Sequence, residues 1–163
     1  MSDFDPQGLF ERLGGAGIDY VVIGGWAVNA HGHRRLTADL DICPSPARDN
    51  LERLARLLAE LGAEHLGADE FERNEVPGDP TDPDSLALGG NFRLTTELGG
   101  LDLMQWLTGL DTERAYERLA SRAIEADVFG VRVRVCSLDD LLAMKRAAGR
   151  PVDREDIDAL SAD

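Results

Sequence analysis

Two acidic residues and a pair of glycines, thirteen residues apart, are the part of the sequence best suited to chemistry. The acids stand in Asp39-Leu40-Asp41-Ile42, where acidic and apolar residues alternate. Because residues two apart on a β-strand point to the same face, both carboxylates lie on one side, about 7 Å apart along the strand. Such a pair repels unless a cation is bound, and hard cations prefer oxygen ligands. We therefore expect Asp39 and Asp41 to bind Mg²⁺ or Mn²⁺.

The glycines, Gly24 and Gly25, end the apolar run Val21-Val22-Ile23. A glycine pair between a buried strand and a short helix lets the backbone approach a ligand closely and favours phosphate. Next to a metal site, this turn would hold the triphosphate of a nucleotide. Phosphoryl transfer needs mainly positioning and charge neutralisation, which this arrangement offers.

Periodic apolar residues on either side predict the elements that position these residues. Strands are predicted at 19–23, 40–43, 92–96, 101–104, 123–128 and 131–136, with hairpin turns at Gly99-Gly100 and Phe129-Gly130. Helices are predicted at 26–31, from the cap Ser45-Pro46 to about 61, from Asp111 or Thr112 to 119, from Ser137 to about 149, and at 153–160. This order predicts an α+β (mixed α/β) fold, a mixed sheet packed by helices.

The chain length of 163 residues predicts one domain. Residues 67–91 carry seven acidic residues and three prolines with few apolar ones, which predicts a long acidic loop.

The charge balance excludes some functions. With 17 Lys plus Arg against 31 Asp plus Glu, the net charge of -14 argues against an extended nucleic-acid track on a basic surface. The sequence contains no run of about 20 apolar residues, so no membrane span is predicted. The acidic start Met1-Ser2-Asp3 does not resemble a secretory signal. Cys43 and Cys136 lack metal-binding spacing, so we expect reduced core cysteines in a cytoplasmic protein.

The glycine pair, the thirteen-residue gap and Asp39-x-Asp41 together resemble the signature of the DNA polymerase β-like nucleotidyltransferase superfamily. The resemblance implies the nucleotidyltransferase fold and a third metal-binding carboxylate on a neighbouring strand. Asp102, in the strand candidate Gly100-Leu101-Asp102-Leu103-Met104, is the candidate for that role. Alternatively, Asp102 is an exposed residue beside a turn and has no role in a metal site.

The segment from Lys145 to Asp158 resembles the C-terminal motif of abortive-infection type nucleotidyltransferase-like proteins, which are associated with toxin–antitoxin pairs. That resemblance implies a phosphate-contacting Lys145 and an active-site Asp153. Lys145 is also the single lysine of a chain with sixteen arginines, although a solvated residue on an amphipathic helix would have the same pattern. Thr37, just before the acidic pair, could orient Asp39 or bind a phosphate.

These residues predict a magnesium-dependent nucleotidyltransferase that moves a nucleoside monophosphate from a nucleoside triphosphate such as ATP to a hydroxyl. Asp39 and Asp41 would bind the metals, Asp102 would bind a metal and act as base, and Lys145 would neutralise charge. The acceptor is left open among a small molecule, a tRNA end and a protein side chain.

An alternative is a weakly active or inactive binding module of a toxin–antitoxin or regulatory pair, whose acidic loop docks a basic partner protein. A glycosyltransferase also uses Asp-x-Asp with a metal, but it has a different glycine context and a longer chain.

Overall fold

The computed structural model describes residues 3–67 and 78–162, which form a mixed sheet with helices packed on it. In chain order the elements are α1 (Pro6–Gly15), β1 (Tyr20–Ile23), α2 (Gly24–Ala30), β2 (Asp39–Pro44), α3 (Arg48–Glu60), β3 (Glu64–His65), α4 (Pro83–Ala87), β4 (Asn91–Thr96), β5 (Gly99–Met104), α5 (Ala115–Arg122), β6 (Ile124–Val128), β7 (Val131–Val135), α6 (Leu138–Ala148) and α7 (Pro151–Ser161). The predicted α+β class is confirmed.

The sheet has the strand order β3-β4-β5-β2-β1-β7-β6 within the described residues. β2 runs parallel to β5, and β1 runs parallel to β7, whereas the other neighbouring pairs are antiparallel. All four residues of β1 are buried, as expected for an apolar run that is covered on both faces of a sheet. The two strands with the candidate carboxylates, β2 and β5, are therefore interior neighbours.

The core is supplied by the strands and by one apolar face of each long helix. α3 buries Leu51, Leu54 and Leu58 at helical spacing, as predicted. Helix α1, which buries Leu9 and Phe10, was not predicted from the sequence. Its signal was the pair Asp5-Pro6: the Asp5 carboxylate accepts a hydrogen bond from the backbone N–H of Gly8 at 2.9 Å, and Pro6 occupies the first helical turn.

A buried side chain, Asn50 of α3, ties down the loops that enter β1 and leave β2. Its Oδ1 accepts from the backbone N–H of Asp19 at 2.7 Å. Its Nδ2 donates to the backbone oxygens of Asp19 at 3.0 Å and Ser45 at 2.9 Å. One amide thus fixes the relative position of β1 and β2, the strands that carry the glycine pair and the acidic pair.

One predicted turn is wrong by two residues. The hairpin between β4 and β5 turns at Glu97 and Leu98, because Thr96 pairs with Gly99, so Gly99 and Gly100 belong to β5. The Thr96 hydroxyl closes this turn by donating to the Gly99 carbonyl at 2.8 Å and accepting from the Leu98 N–H at 3.0 Å. The turn at Phe129-Gly130 between β6 and β7 lies where it was predicted.

Two predicted helix starts are also wrong, for one reason. The sequence predicts Ser45 as the cap of α3 and Asp111 or Thr112 as the cap of α5, but the Ser45 and Thr112 hydroxyls each accept from a backbone N–H two residues later, at Ala47 (3.3 Å) and Arg114 (3.0 Å). A hydroxyl used in such a local turn does not cap a helix, and the helices begin further on, with Ala47 and Arg114 at their N-cap positions. Ser137 does cap α6, accepting from the Asp140 N–H at 3.1 Å.

The acidic stretch 67–91 is not entirely a loop. Residues 68–77 lie outside the described residues, but Pro83–Ala87 form α4. Asp82 caps this helix by accepting from the Asp84 N–H at 3.0 Å, and Asp84 pairs with Arg48 of α3 at 2.6 Å. Part of the acidic stretch is thus packed against the domain.

Two further sequence predictions concern the cysteines and membrane-spanning helices. Cys43 and Cys136 are buried and free, as expected. In the described residues no helix combines the length and apolarity needed to cross a bilayer.

We predict that Asn50→Ala lowers the free energy of unfolding by about 2–3 kcal/mol, because backbone groups of Asp19 and Ser45 lose buried partners. Urea unfolding at neutral pH measures this. Arg56→Ala, an exposed change on the same helix, is the matched control and should stay within about 0.5 kcal/mol of wild type. Equal effects of the two variants would contradict the role given to Asn50.

Candidate active site

Three carboxylates meet in the middle of the sheet. Asp39 and Asp41 lie on β2, and the parallel pairing of β2 with β5 places Asp41 opposite Asp102 and Asp39 opposite Gly100. One oxygen of each of the three carboxylates lies within 4.8 Å of the others. A Cβ on Gly100 would come within 2.9 Å of the Asp39 Cβ, so this glycine makes room for Asp39 beside Asp102.

The cluster is electrostatically unfavourable by itself. Burial, together with the charges of Asp39 and Asp102, raises the pKa of Asp41 to about 8, although Lys145 acts in the opposite direction. Burial and the charge of Asp39 also raise the pKa of Asp102. A divalent cation would remove this repulsion, and three close carboxylate oxygens are the hard donors that Mg²⁺ and Mn²⁺ prefer. The donor set therefore fits such a metal.

The glycine pair lies directly against these carboxylates. Gly24 has a φ of +67°, and a Cβ at this position would overlap the Asp41 carboxylate. A Cβ on Gly25 would lie 2.8 Å from the Thr37 hydroxyl oxygen. That hydroxyl donates to the backbone carbonyl of Asp39 at 3.0 Å. Only glycines allow the turn to approach the acidic pair this closely, and Thr37 fixes the start of β2.

Lys145 of α6 reaches the same cleft from the other side. It is 5% exposed, and its Nζ lies 3.0 Å from Oδ1 of Asp153 and 2.9 Å from Oδ2 of Asp156, both on α7. An ammonium has three N–H donors, so one remains for a ligand. The position of Lys145 is therefore set by two buried carboxylates.

Each of those carboxylates is held in turn by an arginine. Arg150 donates to Asp153 from Nε at 2.7 Å and from Nη2 at 3.1 Å. Arg35 donates to Asp156 from Nε at 2.8 Å and from Nη2 at 3.0 Å. The result is a row of alternating charges, Arg150, Asp153, Lys145, Asp156 and Arg35, which joins α6, α7 and the segment before β2.

Apart from the buried Asp156, these groups line one cleft of about 570 Å³. The structure brings together on its walls every residue that the sequence singled out, namely Gly24, Gly25, Thr37, Asp39, Asp41, Asp102, Lys145 and Asp153. Asp153 is fully buried and both of its oxygens accept hydrogen bonds from Lys145 and Arg150, so its geometry suits holding Lys145. Their individual roles remain predictions.

Other wall residues were not found from the sequence. Arg93 of β4 pairs in register with Asp102, with its Nε 3.8 Å from Oδ2 of Asp102, and Trp106 follows β5 at the mouth of the cleft. Neither belongs to a motif. Only their positions relative to Asp102 could have pointed to them. Arg93 lies opposite Asp102 once the pairing of β4 with β5 is known, and Trp106 follows Asp102 by four residues.

Comparison with solved structures identifies the architecture. No family model and no curated protein matches the chain. The lincosamide antibiotic adenylyltransferase LnuA, solved with lincomycin bound, superposes with a TM-score of 0.63 at 16% identity, covering 99% of each chain. An antigenic nucleotidyltransferase-like protein from Paracoccidioides brasiliensis superposes with a TM-score of 0.55 at 18% identity, covering 94% of this chain and 72% of that one.

This chain has the nucleotidyltransferase fold. The fold expected from the glycine pair and the acidic pair is thus confirmed by structural similarity. The finer resemblance to abortive-infection type proteins, drawn from the segment around Lys145, stays a prediction.

We predict that Gly24→Ala destabilises the protein more than Gly17→Ala. Both glycines have a φ of +67°, so both variants incur backbone strain of about 1–2 kcal/mol. Only at Gly24 does the new methyl group also collide with Asp41, whereas its nearest neighbour at Gly17 is the Arg53 Nε at 4.0 Å. Thermal unfolding of the two variants measures the difference, and equal losses would show that Asp41 moves aside freely.

A second prediction concerns acid unfolding. Burial opposes ionisation of Asp153, but hydrogen bonds from Arg150 and Lys145 outweigh it and lower the pKa from 3.8 to about 2. A carboxyl with a lower pKa in the folded state stabilises the fold above its unfolded pKa, and that contribution is lost as pH falls through its folded pKa. We expect Asp153→Asn to lose less stability than wild type between pH 4 and pH 2 in urea unfolding.

The control for that experiment is Asp127→Asn, an exposed change on β6, which should keep the wild-type dependence on pH. If both variants follow the wild-type curve, Asp153 does not carry the acid sensitivity.

Proposed function

We propose that this protein is a metal-dependent nucleotidyltransferase that moves a nucleoside monophosphate from a nucleoside triphosphate to a hydroxyl of a small molecule. The observation that carries the proposal is the carboxylate cluster of Asp39, Asp41 and Asp102 beside the glycine turn, with Lys145 on the same cleft. Fold alone does not establish an activity, whereas this set of groups matches what phosphoryl transfer requires.

The bound metal, Mg²⁺ or Mn²⁺, would supply positive charge to the phosphate oxygens. Asp39 and Asp41 would hold it, with Asp102 as the third ligand. The backbone at Gly24 and Gly25 can come close to the phosphates because no side chain intervenes. These residues would hold the α-phosphorus in place for attack.

In the reaction the acceptor oxygen forms a bond to the α-phosphorus, and the bond from that phosphorus to the oxygen that bridges the α- and β-phosphates breaks. Asp102 takes the hydroxyl proton, and pyrophosphate leaves with the bond's electron pair. The remaining N–H donor of Lys145 would offset the charge that develops on the leaving group. Asp153 and Asp156 hold Lys145 in position for this.

A small-molecule acceptor is supported by two observations. LnuA, which resembles this chain over its whole length, is an antibiotic adenylyltransferase solved with a small molecule bound. The net charge of -14 disfavours a long nucleic-acid acceptor. ATP is the natural first donor to test.

We predict that Asp39→Asn together with Asp41→Asn abolishes magnesium-dependent binding of ATP in calorimetry. Amides preserve the shape of the side chains but remove the charge that attracts the metal. The matched control is Asp111→Asn together with Asp127→Asn, which removes two exposed charges away from the cleft and should bind as wild type does.

Absence of ATP·Mg²⁺ binding by the wild-type protein, or unchanged binding by the Asp39 and Asp41 double variant, would overturn the proposal. Nucleotide binding without pyrophosphate release in the presence of any acceptor would instead favour the binding-module alternative.

A further inference from the structure

A large aromatic side chain stands exposed at the mouth of the cleft. Trp106 is 68% exposed and lies two residues beyond the end of β5. Scattered exposed apolar residues are ordinary on protein surfaces. This one differs because it lines the cleft that holds the three carboxylates and because its backbone is fixed.

The side chain of Asn91 holds the Trp106 segment. Its Oδ1 accepts from the backbone N–H groups of Gln105 and Trp106, each at 3.0 Å, and its Nδ2 donates to the Trp106 carbonyl at 3.0 Å. The indole edge rests against Gly89, where a Cβ would lie 2.8 Å from Nε1 of Trp106. The ring is therefore positioned in advance while remaining accessible.

The strand order places Trp106 on the side of the acceptor. Within the sheet, β4 with Asn91 lies next to β5 with Asp102, which is followed by β2 with the acidic pair and then by β1, which leads into the glycine turn. Phosphates held at the glycine turn lie on the β1 side of the carboxylates. Trp106 follows β5 and is bound to Asn91 of β4, so it lies on the β4–β5 side of the cleft, away from the glycine turn, which is the side left for an acceptor.

The charges of the cleft restrict what can enter there. Among the described residues, the acids on its walls are Asp39, Asp41, Asp102 and Asp153. The first three form the carboxylate cluster, and Asp153 is paired with Lys145 and Arg150. No described wall carboxylate is therefore left to pair with the ammonium groups of a polycationic acceptor. The described cations of the wall are paired as well, since Arg35, Arg93, Lys145 and Arg150 each have a carboxylate oxygen within 3.8 Å. Trp106 and the neighbouring Met104 instead offer an apolar surface.

We infer that Trp106 is the specificity-determining platform for the acceptor, which is a neutral small molecule with a hydroxyl group and an aromatic or other flat apolar face. The inference rests on the proposed function, because it names the substrate class of the same site. Stacking on an indole is worth enough to select such a molecule from an equally hydroxylated one without the apolar face.

The test compares phenyl β-D-glucopyranoside with methyl β-D-glucopyranoside, two neutral polyols that differ in one apolar group. Their binding is measured by calorimetry or saturation-transfer NMR with Mg²⁺ and a non-hydrolysable ATP analogue present. We expect the phenyl compound to bind wild type about tenfold more tightly, as aromatic stacking predicts. Trp106→Ala should remove this preference, and Trp106→Phe should keep it.

Leu88→Ala is the matched control, since Leu88 is 83% exposed but lies off the cleft wall; it should bind both compounds as wild type does. The affinity for the ATP analogue should be the same in all four proteins.

Several results would overturn the inference: no phenyl preference in wild type, a preference that survives Trp106→Ala, or tighter binding of the dication 2-deoxystreptamine or an adenosine trinucleotide than of the phenyl compound. A loss of nucleotide affinity in Trp106→Ala without a change in glucoside binding would show that Trp106 stacks on the nucleobase instead. If wild type binds no nucleotide but keeps a Trp106-dependent phenyl preference, the proposed function fails while the aromatic platform stands.

Discussion

Mutual repulsion among Asp39, Asp41 and Asp102 is the constraint around which the cleft is organised. The parallel register of β2 and β5 brings the three carboxylates together, and burial together with the charges of Asp39 and Asp102 raises the pKa of Asp41. Backbone hydrogen bonding in the sheet fixes the relative positions of the two strands, so the three carboxylates cannot relieve their repulsion by moving the backbone apart. A site that holds like charges together in this way is ready for a divalent cation.

On the opposite wall of the cleft, neighbouring buried charges alternate in sign and stabilise one another. Burying the charge of Lys145 without a partner would cost free energy. Asp153 and Asp156 neutralise that charge, although their own carboxylates are then buried as well. Arg150 and Arg35 complete the row from its two ends. Buried ion networks of this kind are weak evidence for stability. Their contribution here is placement, because they dock α7 on α6 and hold one ammonium group at the cleft.

Local sequence patterns were enough for part of this arrangement. Alternation at Asp39 and Asp41 gave their shared face, and Ser137 and Gly149 marked the ends of α6. Placing Asp102 opposite Asp41 required the pairing of two strands distant in sequence, which the resemblance to a superfamily implied and periodicity alone could not. The errors at Ser45 and Thr112 share a cause, since a hydroxyl can bond to a local turn or to a helix N-terminus and the sequence does not show which.

No sequence motif points to Trp106. Its importance depends on Asn91, a residue of the neighbouring strand, and on the absence of a side chain at Gly89. Neither relation follows from sequence spacing, because both arise only when β4 and β5 form a hairpin. Contacts between residues of different strands can be identified only once the fold is known.

The burial of Lys145 also has a chemical consequence. The chain's single lysine side chain is paired with two carboxylates and has 5% of its surface exposed, so reagents that attack amines reach it from the cleft. Acylation or reductive methylation of Lys145 would have to disturb its ion pairs with Asp153 and Asp156. Its modification would thus report on the loss of those ion pairs, while the many arginines of the surface stay inert to the same chemistry.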